Sequence, residues 1–199
     1  MSDQQIDSGK RTWLIASSCA GAVGAVGAAV PFVASFEPSE RARAAGAAVE
    51  ADIGGLKPGE KMTVEWRGKP VWIVRRTPQQ IAELPKNDGL LADPESKASK
   101  QPDYVKGPGR SIKPEVLIVE GVCTHLGCSP TLKKEVGAAS DMGAEWPGGY
   151  YCPCHNSRFD LAARVLKGSP APSNMTVPPY HFTGANDAVV VIGEDPKGA

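Results

Sequence analysis

The stretch Val122-Cys123-Thr124-His125-Leu126-Gly127-Cys128-Ser129-Pro130 decides how this chain is read. It sets two thiols and an imidazole in one short loop. A second loop of the same kind follows at Tyr151-Cys152-Pro153-Cys154-His155-Asn156-Ser157-Arg158-Phe159-Asp160. The chain has 199 residues and 5 cysteines. All but Cys19 lie in these two loops. An even set of cysteines in two clusters points to metal, to disulfide bonding or to both.

Three chemistries compete for the two loops. Zinc takes four ligands in a tetrahedron from thiolate and imidazole. One Cys–His pair from each loop would satisfy it, but two cysteines would then have no role. Disulfide stapling would use all four thiols and leave His125 and His155 unexplained. A [2Fe–2S] cluster with mixed ligands would take Cys123 and Cys152 on one iron, and His125 and His155 on the other. Neutral imidazole in place of thiolate makes such a cluster less negative and raises its potential to about −150 to +300 mV. Cys128 and Cys154 then remain, one per loop, free to form a disulfide of the kind that persists in an oxidising compartment.

Working outward, the charges balance, with Lys plus Arg 22 and Asp plus Glu 22. That balance gives no electrostatic case for nucleic acid, which calls for a basic excess. With 18 prolines, 22 glycines and few aromatic residues, the composition favours turn-rich β structure over a helical bundle. Alternation and β-former content predict strands at Lys61–Trp66, Pro70–Arg75, Val116–Val122, Val177–Phe182 and Ala188–Ile192. Residues 77–114 are polar and proline-containing, which reads as a surface insertion with a short helix at Gln79–Leu84. The head is therefore expected to be a mainly β, antiparallel sandwich with both loops at one end.

From Thr12 to Phe36 no residue is charged. The run exceeds the about 20 residues that a spanning helix needs. It also exceeds the usual apolar core of a cleaved signal peptide, although small residues at Ala42–Ala45 resemble a cleavage site. Gly21, Gly24 and Gly27 would allow a neighbouring helix to approach closely. Lys10 and Arg11 precede the run and Arg41 and Arg43 follow it, so the positive-inside rule does not orient it. The organisation expected is a cytoplasmic N-terminus at 1–11, a transmembrane anchor at 12–36, a flexible tether at 37–52 and a head at 53–199, with the cluster-binding part at about 121–175.

The pair CTHLGC and CPCH followed by serine resembles the two boxes of Rieske iron–sulfur proteins. The likeness extends over nearly the whole chain and is closest to the Rieske subunits of bacterial cytochrome bc1 complexes. Gly168-Ser169-Pro170-Ala171-Pro172 is similar to that family's proline-rich loop over the cluster, and VPPYHF to its closing strand. Lys10-Arg11 resembles a twin-arginine export signal with its first arginine replaced. The resemblance implies one [2Fe–2S] cluster per chain, ligands Cys123, His125, Cys152 and His155, and a Cys128–Cys154 disulfide. It implies a single-pass protein of the bacterial inner membrane with its head in the periplasm. It further implies that His155, with His125 beside it, meets ubiquinol held by cytochrome b and accepts one proton as one electron is taken. The head would then swing to deliver the electron to cytochrome c1, within a dimeric complex among membrane lipid. Histidine suits the role because its proton affinity follows the charge of the iron it ligates.

Two residues depart from the family pattern. Asn156 stands where glycine is usual, and asparagine is the side chain that best tolerates left-handed backbone. Phe159 stands where many relatives have a tyrosine that donates to a ligand sulfur, so a lower potential is expected. Ser157 is retained as a hydrogen-bond donor to cluster sulfur. Leu126 is a candidate to cap the cluster against water. Lys133, Lys134 and Arg158 are candidate partner contacts, although such charges are commonly just solvated. Asp160 is expected to cap local amides, and His181 lies outside both boxes. Two other functions stay open at this level: the small subunit of a periplasmic oxidase of the arsenite oxidase type, and a zinc-stabilised module without redox chemistry.

Overall fold

The computed structural model describes residues 7–196. The chain divides into an N-terminal unit ending at Ala44 and a head beginning at Ala45. In the first unit, helix α1 runs Ser8–Ala34. It starts earlier than the apolar run because Asp7 caps it, its carboxylate accepting from the Gly9 and Lys10 amides. Trp13, Leu14, Val23, Val30 and Phe32 are all exposed on it. The helix is long and apolar enough to cross a membrane. A second helix, α2 (Glu40–Ala45), follows with Ser39 at its start, so part of the expected tether is helical.

Among the described residues, the head contains three antiparallel three-stranded sheets. In the first, the order is β1 (Val49–Asp52), β9 (Val189–Ile192), β8 (Tyr180–Thr183). In the second, it is β2 (Lys61–Trp66), β3 (Lys69–Arg75), β4 (Val116–Glu120). In the third, it is β5 (Thr131–Lys133), β6 (Gly149–Cys152), β7 (Ser157–Asp160). Because β1 pairs along its length with β9, the tether read to residue 52 is shorter, and the head begins in earnest at Val49. Arg67 and Gly68, both left-handed, make the two-residue turn that joins β2 to β3.

The second sheet sits between the other two, and its pleat feeds two cores. Val71, Ile73, Val116 and Ile118 point to a core shared with Trp66, Tyr180, Val190 and Ile192. Trp72, Val74, Leu117 and Val119 point the opposite way, to a core with Cys123, Tyr150, Cys152 and Phe159. Both faces are covered, which is why VLIVE reads as an unbroken apolar run rather than an alternation. The antiparallel β head is as the alternation implied. The third sheet belongs to the cluster loops themselves.

Residues 77–114 are not a surface insertion. Thr77 opens helix α3 (Pro78–Glu83) with a capping box. The rest buries Leu84, Leu91, Val105 and Arg110. It is polar because it works through hydrogen bonds. Arg76, at its edge, donates to the Pro114 and Gly109 carbonyls and to Ser111. Tyr180 Oη accepts from the Ile112 amide at 2.8 Å.

Candidate metal centre

Strand β4 ends at Glu120, and at the next residue, Gly121, a Cβ would lie 2.3 Å from the Trp72 ring. Only glycine lets the chain pass that ring and turn into the first box. The Cys123 amide donates to the Cys128 carbonyl at 2.8 Å, and the Gly127 amide donates to the Cys123 carbonyl at 3.0 Å. The loop thus closes on itself, with Gly127 left-handed at φ 86. The second box is the turn between β6 and β7, where Cys152 pairs with Ser157. Asn156 donates its amide to the Cys152 carbonyl at 3.0 Å and has φ 65. Asparagine therefore takes the left-handed geometry that the residue after His155 requires.

The two loops meet. Cys128 and Cys154 form a disulfide, with their Cα atoms 6.7 Å apart. Cys123 and Cys152 are free thiols, buried in the same core. The His125 and His155 rings stand edge to face with centroids 4.7 Å apart. Cys128, Cys152 and Cys154 also crowd together within 4.8 Å. Two of those sulfurs are bonded to each other, so this is a disulfide lying beside one free thiol and not a three-thiolate site.

Two further features bear on what the pair of loops can hold. His125 Nδ1 is buried without a hydrogen-bond partner. An imidazole nitrogen hidden from water and given nothing to bond is suited to metal ligation. Burial, joined by the neighbouring Cys152 thiol, pushes the Cys123 thiol up, while the His125 amide and the Ser157 hydroxyl oppose the rise. Two buried sulfurs and two imidazoles, one of each per loop, fit a group with mixed sulfur and nitrogen ligands.

Several contacts around the loops carry no sequence signal. Thr124 Oγ1 donates to the Ser173 carbonyl at 2.6 Å, and Ser157 Oγ accepts from the Ala171 amide at 3.1 Å. Arg158 donates its amide to Ser169 Oγ at 3.1 Å. The proline-rich loop is thereby tied to both boxes. The glycine and prolines of that loop mark it as a turn, but nothing marks which hydroxyls it meets. Asp160 does cap local amides, accepting from Ala162 and Arg164 at 2.9 Å each. It also takes the Arg164 guanidinium, in a pair with both side chains fully buried. Leu126 is 70% exposed and so lies at the outer tip. Lys133 pairs with Asp141. His181 sits on β8, outside the site, with Nδ1 at 3.4 Å from the Glu194 carbonyl.

The sequence pattern of the Rieske [2Fe-2S] domain matches residues 48–181. A second pattern, the ubiquitinol-cytochrome C reductase Fe-S subunit TAT signal, matches residues 12–39. The ubiquinol-cytochrome c reductase iron-sulfur subunit of Allochromatium vinosum is 56% identical over 98% of this chain and 93% of its own. The subunit of the same name from Blastochloris viridis is 40% identical over 84% of each chain. That of Rhodospirillum rubrum is 39% identical over 94% of this chain and 93% of its own. A solved chain of a hyperthermophilic respiratory Complex III overlays 88% of this chain and 97% of its own at TM-score 0.46 and 24% identity, too distant to add to these matches. The chain therefore belongs to the Rieske family of ubiquinol-cytochrome c reductase iron–sulfur subunits, and its cofactor is a Rieske-type [2Fe–2S] cluster.

Proposed function

We propose that this subunit accepts an electron and a proton from ubiquinol at the quinol-oxidation site of cytochrome b and passes the electron to cytochrome c1. The observation that carries the reading is the paired imidazoles: His125 has a buried, unpartnered Nδ1, and His155 beside it is exposed. Cys123, Cys152, His125 and His155 would hold the cluster. When bound, it supplies a one-electron acceptor of high potential.

The residues divide the remaining work. His155 offers its outer ring nitrogen to the quinol hydroxyl, accepts its hydrogen bond and takes its proton. Exposed Leu126 meets the apolar surround of the quinone. The Cys128–Cys154 disulfide keeps the two loops in register. Ser157 would offer its hydroxyl to a cluster sulfur, and its oxygen accepts from the Ala171 amide. Helix α1 anchors the protein in the bacterial inner membrane, with the head in the periplasm and the dimeric complex around it.

Low-temperature EPR of the purified protein after mild reduction with ascorbate tests this. A Rieske-type signal, with average g below that of an all-cysteine cluster, is expected at this weak driving force. A signal appearing only with dithionite would remove quinol oxidation. Zinc without iron by metal analysis would remove electron transfer. Native purification adds a second arm: haem subunits support the reading, and a molybdenum subunit replaces it with the oxidase type.

A further inference from the structure

The loop that covers the second box leaves the core at Ala163 and returns at Met175. Its two ends meet, the Met175 amide donating to the Ala163 carbonyl at 3.0 Å. From the far side, the Arg110 guanidinium closes the same junction. Nη1 donates to the Ala162 and Ala163 carbonyls at 3.2 and 3.1 Å, and Nη2 donates to the Met175 carbonyl at 2.7 Å. Gln101 Oε1 accepts from Nε at 2.9 Å. Arg110 is fully buried.

The backbone at this junction is unusual. Arg110 has φ 48 and Ala163 has φ 58. Left-handed geometry is disfavoured for both residue types and persists only where the surroundings over-determine it. Here two such residues hold each other. Arg76 in turn fixes the turn that carries Arg110, donating to the Gly109 carbonyl at 2.8 Å and to Ser111 Oγ at 2.6 Å.

We infer that Arg110 is a positioning residue for the iron–sulfur site, acting through Ala163 and Met175 to hold the covering loop against both boxes; this rests on the ligand assignment proposed above. The choice of arginine supports it. Its hydrogen bonds go to three carbonyls and an amide oxygen and to no carboxylate, so it makes no ion pair. Burial pulls its pKa down to about 10, and at neutral pH it is still a cation. A buried cation without a paired anion is a poor source of stability compared with an apolar plug. What a planar fork does, and an apolar side chain does not, is fix the two ends of one loop in a single geometry. Ala163 and Met175 pack in the same core as Cys123 and Cys152. The loop they start and end carries the Ala171 amide that holds Ser157.

The test compares full-length protein carrying Arg110→Met, Arg110→Lys or Val190→Ala. Val190 is fully buried in the other core and serves as a matched destabilised control. Amide exchange of residues 164–175 is expected to quicken by about tenfold or more in both Arg110 variants, the ratio that loss of one charge-assisted hydrogen bond implies. The EPR lines are expected to broaden and the midpoint to fall, because Ser157 loses the partner that polarises its hydroxyl toward sulfur. Val190→Ala should lower Tm without either change. If Arg110→Met does not fold, Arg110→Lys, which keeps the charge and loses the fork, carries the comparison. Arg110 variants that lose Tm while local exchange and midpoint match those of Val190→Ala would overturn the inference. Absence of a Rieske signal in the unmodified protein would instead overturn the ligand assignment, and the exchange arm would still decide whether Arg110 clamps the loop.

Discussion

The two boxes and the segment 76–114 hold the same site by opposite means. Each box closes over a handful of neighbouring residues, as the Cys123–Cys128 and Cys152–Asn156 backbone bonds show. The segment offers no sulfur or imidazole. It works at a distance, with Arg110 and Met175 65 positions apart in the chain. The boxes supply chemistry whose geometry is local. The segment supplies placement whose geometry is not. Arg164 and Asp160 join the two, since Arg164 also reaches the Leu84 carbonyl and Asp88.

That junction is where the contrast breaks most visibly. Arg164→Met leaves the Asp160 carboxylate buried and unpaired, which should cost about 3–5 kcal/mol. Denaturant unfolding of the variant should show it, and a loss under about 1 kcal/mol would mean that the boxes stand without the segment. Next comes Cys128→Ser. The disulfide spans a sequence separation of 26, for which chain entropy assigns about 3.5 kcal/mol. Cluster retention, followed by visible absorbance during unfolding, should fall with it. Full retention would show that the segment alone keeps the loops together.

Smaller effects sharpen the picture. Burial raises Tyr180 to about 12, so its neutral form contributes stability below pH 10 that is lost as pH rises through about 12. Arg110 works the other way in that window, because its lowered pKa makes stability rise with pH. Comparing the unmodified protein with Tyr180→Phe cancels that share. The variant should lose about 1–2 kcal/mol at pH 8, where the Ile112 amide loses its acceptor, and less of its remaining stability above pH 10. An unchanged alkaline limb would sink the assignment. Phe159→Tyr should raise the midpoint by the equivalent of part of one hydrogen bond, roughly 0.5–1.5 kcal/mol. Redox titration followed by EPR checks it, and no rise would mean that the added hydroxyl does not reach sulfur. Smallest of all, Lys86→Gln removes an exposed pair with Glu83 and should change stability by less than about 0.5 kcal/mol. A larger loss would mean that the segment's surface also matters.

Reading the sequence succeeded where the signal is short-range. The bounds of β2 follow from alternation, and the short helix expected at Gln79–Leu84 forms one residue earlier, at Pro78–Glu83. Asn156 was legible because one residue's left-handed tolerance answers one backbone angle. The polar segment was misread because polarity usually marks solvent. Here three buried arginines, Arg76, Arg110 and Arg164, consume that polarity internally. Val49–Asp52 looked like tether because a short edge strand has no pattern apart from its partner β9.

The sequence by itself determined that each loop carries two cysteines and a histidine, and that an apolar run is long enough to span a membrane. Both are properties of residue type and near spacing, which the chain carries whether or not it is folded. Only the tertiary structure decided that His125 hides one nitrogen, that the covering loop is tied to Thr124 and Ser157, and that Arg110 closes its base. Those facts arise from groups far apart in sequence meeting in a low-dielectric interior, where an unpaired polar atom is costly and a paired one is held firmly.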